Sequence, residues 1–182
     1  MSVPLVANVI LLATLVALLL FTYWKVRRLQ EEVVRDVLTG AFNKRGYELF
    51  RDIFSRKNTP LAVISIDVNK FKQINDTHGY TVGDAVLHEI GGVLCGKVSR
   101  KDIVVRRGGD EFLILLPDTT EEQAEGVRLR LEELVEQIVI DAETESVHVT
   151  ISSGCASGSL RNERDLLRRA DQRMYQAKRL LS

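Results

Sequence analysis

The first 24 residues carry no charged side chain, and all 50 charged residues of the chain lie in the 158 residues that follow. Within this segment, residues 3–24 are interrupted by only three strongly polar side chains, Asn8, Thr14 and Thr22. An α-helix of this length is about 33 Å long, which is enough to cross the hydrocarbon core of a bilayer. The sequence therefore predicts a transmembrane helix at 3–24 and a separate domain after it.

The residues at the end of this apolar segment predict its orientation. Tyr23 and Trp24 are typical of the membrane–water interface, and three basic residues, Lys25, Arg27 and Arg28, follow them. Because Lys and Arg are enriched on the cytoplasmic side, we expect a single-pass anchor with the following domain in the cytoplasm and about two residues outside. A cleaved signal peptide is the competing interpretation, but it favours a basic start and a shorter apolar run.

Residues 25–35 read KVRRLQEEVVR and connect the two parts of the chain. Val26, Leu29 and Val33 have the spacing that forms one apolar seam on a helix. Because this seam is short, a dimer-forming coil and a solvated amphipathic linker both stay open.

The charges of residues 36–182 bear on possible partners. This part of the chain holds 21 of the 25 basic and 23 of the 25 acidic side chains, so its net charge is −2 and no basic surface for nucleic acid is expected. Cys95 and Cys155 have neither the spacing of metal ligands nor a local partner. This pattern favours two small buried side chains in a reduced compartment.

Helical and strand-like patterns alternate along residues 36–182. The apolar run LAVISIDV at Leu61–Val68 is typical of a strand that is buried on both faces. Further strands are predicted at 103–106, 112–116 and 147–152, and helices at 43–54, 83–98, 121–139 and 162–181. This order predicts an α/β (α+β) domain with a central mixed sheet flanked by helices.

Three carboxylates fall at the ends of predicted strands. Asp67 lies at the end of the first strand, and Asp110 and Glu111 follow the turn formed by Gly108 and Gly109. If these strands are neighbours, the carboxylates meet at one edge of the sheet, where their repulsion requires cations such as Mg²⁺. Two such metals would suit an in-line displacement at phosphorus. Three solvated turn residues are the alternative, because Asp and Gly are common in turns.

Four segments, taken together and in order, resemble the motifs of the GGDEF-domain diguanylate cyclases. They are DVLTG at 36–40 with Asn43 and Arg45, DVNKFKQIND at 67–76 with Gly79, Gly83 and Asp84, RGGDEF at 107–112, and ADQRMYQAK at 170–178. The resemblance implies a ferredoxin-like, cyclase-palm fold for a GGDEF domain at 36–182. It also implies that two GTP molecules are joined into cyclic di-GMP with release of two pyrophosphates. A catalytically silent module that binds GTP or cyclic di-GMP is the alternative.

The resemblance assigns metal-binding and catalytic roles to five residues. Asp67, Asp110 and the Val68 carbonyl would hold Mg²⁺, with two ions per active site and Mn²⁺ as an alternative metal. Glu111 would lie close by as a further metal-site residue. Asp110 would also act as the general base for the ribose 3′-hydroxyl, and Lys72 would stabilise the phosphate charge of the transition state.

The resemblance also assigns contacts to the substrate. Asp84 would read guanine by accepting from its N1–H and N2–H₂ groups, and Asn75 can both donate and accept. Lys178 would contact the terminal phosphates. The full set of substrate-binding residues that the resemblance implies is Asn75, Tyr80, Asp84, Gly108, Gly109 and Lys178.

The resemblance implies a homodimer, because each domain would bind one GTP and two domains must face each other. The membrane helix at 3–24 and the linker at 25–35 would raise the effective concentration of the two halves. The implied location is the inner membrane of a bacterium, with the catalytic domain in the cytoplasm. A membrane or cytoplasmic regulator of unknown identity is expected.

Three positions depart from the family pattern near the expected active site. Asn69 stands where Asp is usual, Tyr80 where His is usual, and Ser182 where a phosphate-binding Arg is common. We expect activity to survive the first change, and the ring and hydroxyl of Tyr80 can replace much of the histidine contact near the guanine. The third bears on the affinity for the triphosphate, and Arg179 is the candidate to replace the missing Arg.

A fourth departure concerns product feedback. Many family members carry an Arg-x-x-Asp motif that binds product and holds the domain inactive. Asp102 is in place, but Ser99 stands at the Arg position, and Arg100 and Lys101 are out of register. Because Ser cannot form the bidentate contact of Arg, we expect weak or absent product inhibition.

Overall fold

The structure is a computed structural model that describes residues 3–57, 60–142 and 145–180. Contacts within the chain divide it into two compact units, Met1–Val34 and Arg35–Ser182. Each unit is described by itself below.

The first unit contains a single helix, α1 (Val3–Val34), which continues from the apolar segment through most of the predicted linker. Within it, Asn8–Lys25 is long and apolar enough to cross a membrane, a test that a signal sequence near the N-terminus also passes. The Thr22 hydroxyl donates to the Leu18 carbonyl at 2.9 Å, so this polar group is paired inside the helix. The side chains of the predicted apolar seam lie outside the described ones, and the seam stays a prediction.

A four-stranded sheet forms the centre of the second unit. The strands described here are β1 (Leu61–Val68), β2 (Ile103–Gly108), β3 (Glu111–Pro117), β4 (Val139–Asp141), β5 (Ser146–His148) and β6 (Ile151–Gly158). The central sheet has the order β2-β3-β1-β6, and β4 pairs with β5 in a separate hairpin. This order confirms the predicted ferredoxin-like, cyclase-palm arrangement.

The three ladders of the central sheet are all antiparallel, so the mixed pairing predicted from the sequence is wrong. Strands joined by a helix are parallel to each other, but another strand lies between them in the sheet. Among the described residues, the parallel pairing that is present is one isolated bridge, between Phe42 and Val105 of β2.

Helices cover both faces of the sheet. The remaining helices described are α2 (Lys44–Lys57), α3 (Phe71–His78), α4 (Tyr80–Lys97), α5 (Glu121–Glu136) and α6 (Glu163–Leu180), with a short 3-10 helix at Leu160–Asn162. Side chains of α4 and α5 pack on one face of the sheet, and side chains of α2 and α6 pack on the other. Each of these two faces has its own hydrophobic core.

Strand β1 supplies side chains to both cores, which explains its continuous apolar pattern. Ile64 and Ile66 belong to the core with α4 and α5, whereas Leu61 and Val63 belong to the core with α6. Because side chains alternate along a strand, Asp67 lies on the same face as Leu61 and Val63. The fold therefore places this carboxylate on the α6 side of the sheet.

The helices between β1 and β2 differ from the prediction, and the helix predicted at 43–54 extends to Lys57. The helix predicted at 83–98 begins earlier, at Tyr80, and is preceded by α3, which the sequence pattern did not reveal. Gly79 separates the two helices with φ 82° and ψ 164°. Because α3 buries only Ile74 at its core-facing side, it has no broad apolar stripe to signal a helix.

The predicted end of the domain also differs in detail. The strand predicted at 147–152 is two strands, β5 and β6, and the helix predicted to reach residue 139 ends at Glu136. Strand β6 is rich in small residues because α6 lies directly on it: a Cβ at Gly154 would be 2.3 Å from the Met174 nitrogen. Helix α6 confirms the predicted closing helix up to Leu180, and Leu181 lies outside the described residues.

Candidate active site

The end of β1 and the turn between β2 and β3 lie side by side. Asp67 stands opposite Glu111 in the antiparallel register, and the Val68 N–H donates to the Asp110 carbonyl at 3.3 Å. Asp67 is only 6% exposed, whereas Asp110 and Glu111 are half-buried. The neighbouring strands thus bring the three predicted carboxylates to one edge of the sheet.

Helix α6 places the positively charged side chain of Lys178 at this edge. The Lys178 Nζ donates to Asp67 Oδ1 in an ion pair. Leu166, Ala170 and Met174 are the buried residues of α6, spaced four apart, and Lys178 continues that line. The predicted phosphate-binding lysine therefore meets a predicted metal ligand.

The electrostatics of Asp110 reflect the crowding of negative charge. Burial raises the pKa of Asp110 above its ordinary value, and the like charge of Asp67 raises it further. The backbone N–H of Asp110, Lys178 and Arg106 oppose this shift. A carboxylate in this state is stabilised by a further cation or a proton.

The oxygen donors at this edge fit a magnesium ion that is shared with a substrate. Within the described part of the chain, no group of three or more His, Cys, Asp and Glu side chains is arranged to hold a metal ion by itself. Mg²⁺ in nucleotide enzymes is commonly held by one or two carboxylates together with substrate phosphates. Two hard oxygen donors with mutual repulsion, Asp67 and Asp110, fit such a shared site.

Arg106 holds the turn that carries Asp110, a role that the sequence did not reveal. Its Nε and Nη2 donate to the Gly109 carbonyl at 3.0 and 2.7 Å. Gly109 has φ 54°, a left-handed conformation that glycine adopts without strain. Because Arg106 binds the backbone carbonyl of Gly109, the Asp110 side chain is not needed to hold the turn.

The same arginine connects the turn to the start of the domain. Arg106 Nη1 donates to Asp36 Oδ1 at 3.0 Å, and the same oxygen accepts from the Thr39 N–H and hydroxyl at 3.0 and 2.7 Å. Burial would raise the pKa of Asp36, but these hydrogen bonds outweigh it, and the pKa lies below its ordinary value. Asp36 belongs to the DVLTG motif, yet its partner is 70 residues away and gave no local signal.

A second polar link fixes α6 over the sheet. Asp171 Oδ1 accepts from the Ser65 hydroxyl at 2.6 Å and from Arg107 Nη1 at 3.0 Å. Ser65 is fully buried beside Asp67 on β1, so this link fixes α6 about two turns before Lys178. Asp171 was part of the closing motif, but the sequence assigned it no role.

The residues predicted to contact the substrate from α3 and α4 differ in their exposure. Lys72 and Asp84 are exposed, and Tyr80 is 80% exposed. Asn75 differs, because its Oδ1 is buried and has no hydrogen-bond partner within the described residues. No contact in the described part of the chain joins these four side chains to Asp67 or Asp110, so their roles stay predictions.

The first departure from the family pattern has a structural explanation. Asn69 Nδ2 donates to Thr150 Oγ1 at 3.0 Å, and its Oδ1 accepts from the Ser152 hydroxyl at 2.7 Å. The amide therefore ties the end of β1 to β6 with both of its polar groups. Ser182, the position of the missing Arg, lies outside the described residues.

The turn from Ser99 to Asp102 is held by hydrogen bonds between these two residues. The Ser99 N–H donates to Asp102 Oδ2 at 2.8 Å, and the Asp102 N–H donates to the Ser99 carbonyl at 3.0 Å. Asp102 Oδ1 is buried without a hydrogen-bond partner among the described residues. Burial raises the pKa of Asp102 above its ordinary value.

Similar proteins point to one family. The chain is similar to the diguanylate cyclase DosC of Escherichia coli K12, with 38% identity over 165 residues that cover 84% of this chain and 36% of that protein. It is also similar to the response regulator PleD of Caulobacter vibrioides, with 35% identity over 156 residues that cover 81% of this chain and 34% of that protein. The chain thus spans about a third of the length of these relatives.

Solved structures agree in fold. The diguanylate cyclase SiaD of Pseudomonas aeruginosa, in complex with its activator SiaC, superposes with a TM-score of 0.78 at 30% identity, covering 95% of this chain and 70% of that one. The coiled coil and GGDEF domain of DgcB from Caulobacter crescentus, in complex with c-di-GMP, gives a TM-score of 0.80 at 21% identity, covering 92% of each chain. The family described as diguanylate cyclase, GGDEF domain, matches residues 33–180, and the chain belongs to this family.

Proposed function

We propose that the chain is a membrane-anchored diguanylate cyclase that condenses two GTP molecules into cyclic di-GMP and two pyrophosphates. The observation that carries the proposal is the meeting of Asp67, Asp110 and Lys178 at one edge of the sheet. Two carboxylates and a lysine there supply the donors and the positive charge that a metal–triphosphate complex requires.

The metal would be held by Asp67, Asp110 and the Val68 carbonyl, as two Mg²⁺ ions per active site, with Glu111 nearby. When bound, the metal supplies charge stabilisation at phosphate oxygens and lowers the pKa of the ribose 3′-hydroxyl. Burial and the Asp67 charge raise the pKa of Asp110, a shift that a bound Mg²⁺ would oppose. We propose this carboxylate as the acceptor of the 3′-hydroxyl proton.

Two lysines would neutralise the phosphates. Lys178 pairs with Asp67, and it would exchange this carboxylate for a terminal phosphate when the nucleotide binds. Lys72 is exposed on α3 and can reach a ligand without breaking an existing contact with a described residue. Its compact charge would stabilise the phosphate in the transition state.

Guanine would be selected at α3 and α4. The buried Asn75 Oδ1 lacks a hydrogen-bond partner within the described residues, and a guanine N–H would supply one. Asp84 would accept from the two neighbouring guanine donors, which adenine cannot offer. Tyr80 would lie near the base.

The reaction requires two copies of the chain. Each domain would hold one GTP, and each 3′-oxygen would attack the α-phosphate held by the other domain. The apolar helix α1 supports the proposal of a membrane anchor, which would restrict two copies to one plane and raise their effective concentration.

The test is incubation of the full chain in detergent or lipid nanodiscs with GTP and Mg²⁺, with products measured by mass spectrometry. We expect cyclic di-GMP, two pyrophosphates per product, no comparable product from ATP, and a specific rate that rises with protein concentration. GTP binding without product would support the silent module instead. Absence of nucleotide binding would refute both functions, and failure of the chain to float with liposomes would refute the anchor.

A further inference from the structure

The Asn75 side chain lies against Gly83, a residue without a side chain. A Cβ built at Gly83 of α4 would be 1.9 Å from Asn75 Oδ1 and 3.0 Å from Asn75 Cγ. The next nearest atom is Phe71 Cζ, at 3.4 Å, which is an ordinary contact distance. The carboxamide of Asn75 therefore occupies the space that any other residue at 83 would fill.

The Asn75 carboxamide oxygen also lacks a hydrogen-bond donor among the described residues. This oxygen, Oδ1, is buried and accepts no hydrogen bond from the described residues. A buried unpaired acceptor is unfavourable, so this position of Asn75 is not explained by contacts within the described chain.

Other glycines of α4 show that the surroundings of Gly83 are distinct. A Cβ at Gly91 would be 2.5 Å from the Thr39 carbonyl oxygen, so an alanine there would collide with backbone. A Cβ at Gly92 would meet nothing within 4 Å. At Gly83 the collision involves a side-chain carboxamide, which can move while the fold stays intact.

We infer that Gly83 is a positioning residue for base selection, because its lack of a Cβ lets the Asn75 carboxamide stay at the α3–α4 corner. The inference rests on the proposed function, in which Asn75 reads guanine. Glycine in a helix is less favourable than alanine, so Gly83 costs the helix some stability. The missing Cβ at Gly83 leaves the space in which the base-reading carboxamide of Asn75 lies.

The inference predicts a change in selectivity without a change in fold. In the full chain, Gly83→Ala would push the carboxamide away and lower the preference for a guanine over an adenine nucleotide about tenfold. The matched control is Gly92→Ala on the same helix, which should keep the wild-type preference. Affinities for the α,β-methylene analogues of GTP and ATP, which block attack at the α-phosphate, give this ratio by calorimetry.

Asn75→Ala and the double variant Gly83→Ala/Asn75→Ala test whether Gly83 acts through Asn75. Without the carboxamide, the new methyl group at 83 displaces nothing. The double variant should therefore match Asn75→Ala in its guanine preference, a coupling that a purely structural role of Gly83 would not produce. Thermal melting should show that Gly83→Ala stays folded.

Three results would overturn the inference: an unchanged guanine preference in Gly83→Ala, additive losses in the double variant, or loss of the fold in Gly83→Ala. A wild-type chain without guanine preference would overturn the proposed function together with this inference. A wild-type preference that survives in Gly83→Ala would overturn the inference alone.

Discussion

Strand β2 lies between two turns that each carry a half-buried aspartate, and the two turns are held by different contacts. At the start of the strand, Asp102 accepts a hydrogen bond from the Ser99 N–H and so closes its own turn. At the end, Asp110 belongs to a turn whose backbone is held by Arg106. The Asp102 carboxylate holds its own turn, whereas we propose that the Asp110 carboxylate binds a ligand.

The difference teaches how a turn can present a reactive side chain. Because Arg106 binds the Gly109 carbonyl from two nitrogen atoms and also pairs with Asp36, the second turn is fixed from its backbone. Asp110 can then lie near Asp67, although their like charges repel. The first turn has no such arginine among its described contacts, and its aspartate provides the cross-link itself.

The largest expected effect of breaking this arrangement comes from Arg106→Ala. The variant loses both hydrogen bonds to Gly109 and the ion pair with Asp36, so Asp110 is no longer held in place. A displacement of about 1 Å at a reacting group can lower the rate about hundredfold, and we expect a loss of this size in cyclic di-GMP formation.

Arg130→Ala is the matched control, because Arg130 Nη2 also donates to a backbone carbonyl, that of Lys97, at 2.9 Å. Its rate should stay close to that of the wild type. Arg106→Lys should recover only part of the loss, since a lysine keeps the charge opposite Asp36 but lacks the planar fork. Equal rates for Arg106→Ala and Arg130→Ala would contradict the role given to Arg106.

A smaller effect is expected at the first turn, where the comparison predicts little response to product. With Ser at 99 and Asp102 bonded within its turn, added cyclic di-GMP should inhibit the wild-type chain weakly. An arginine restored by Ser99→Arg should strengthen inhibition about ten- to hundredfold, because one charge-assisted contact is regained. Initial rates at increasing product concentration measure both.

Strong inhibition of the wild type that disappears in Asp102→Ala would contradict this prediction. It would mean that Arg100 replaces the missing arginine and that the Asp102 carboxylate leaves its turn to bind product. Equal inhibition constants for the wild type and Ser99→Arg would also contradict it.

Features with a strong local pattern were predictable from the sequence. Strand β1 matches its predicted bounds, since LAVISIDV is buried on both faces, and the carboxylates meet because β1 and β3 are neighbours. Helix α3 was missed because it buries a single residue, Ile74, and most of strand β6 was missed because its small residues, which allow α6 to lie close, give no apolar pattern. These two elements depend on their neighbours more than on their own periodicity.

The parts of the site that were missed are contacts between distant segments. Arg106 reaches Asp36, and Lys178 reaches Asp67 from α6 across 111 residues. A charged residue in a single sequence does not reveal its partner when many others of opposite charge are present. The roles of Lys72, Asn75 and Asp84 came from family resemblance, and they stay predictions.

The most direct test of the account is one substitution made at both ends of β2. Asp110→Asn and Asp102→Asn remove the same charge and keep the same shape, and both can be assayed for cyclic di-GMP formation from GTP and Mg²⁺ in the full chain. We predict that Asp110→Asn loses at least about hundredfold in rate, because it removes the carboxylate that we propose to bind the metal and to accept the proton. Asp102→Asn should keep a rate close to that of the wild type, since an amide oxygen can still accept from the Ser99 N–H. Wild-type product formation by Asp110→Asn, or equal losses in the two variants, would contradict the account.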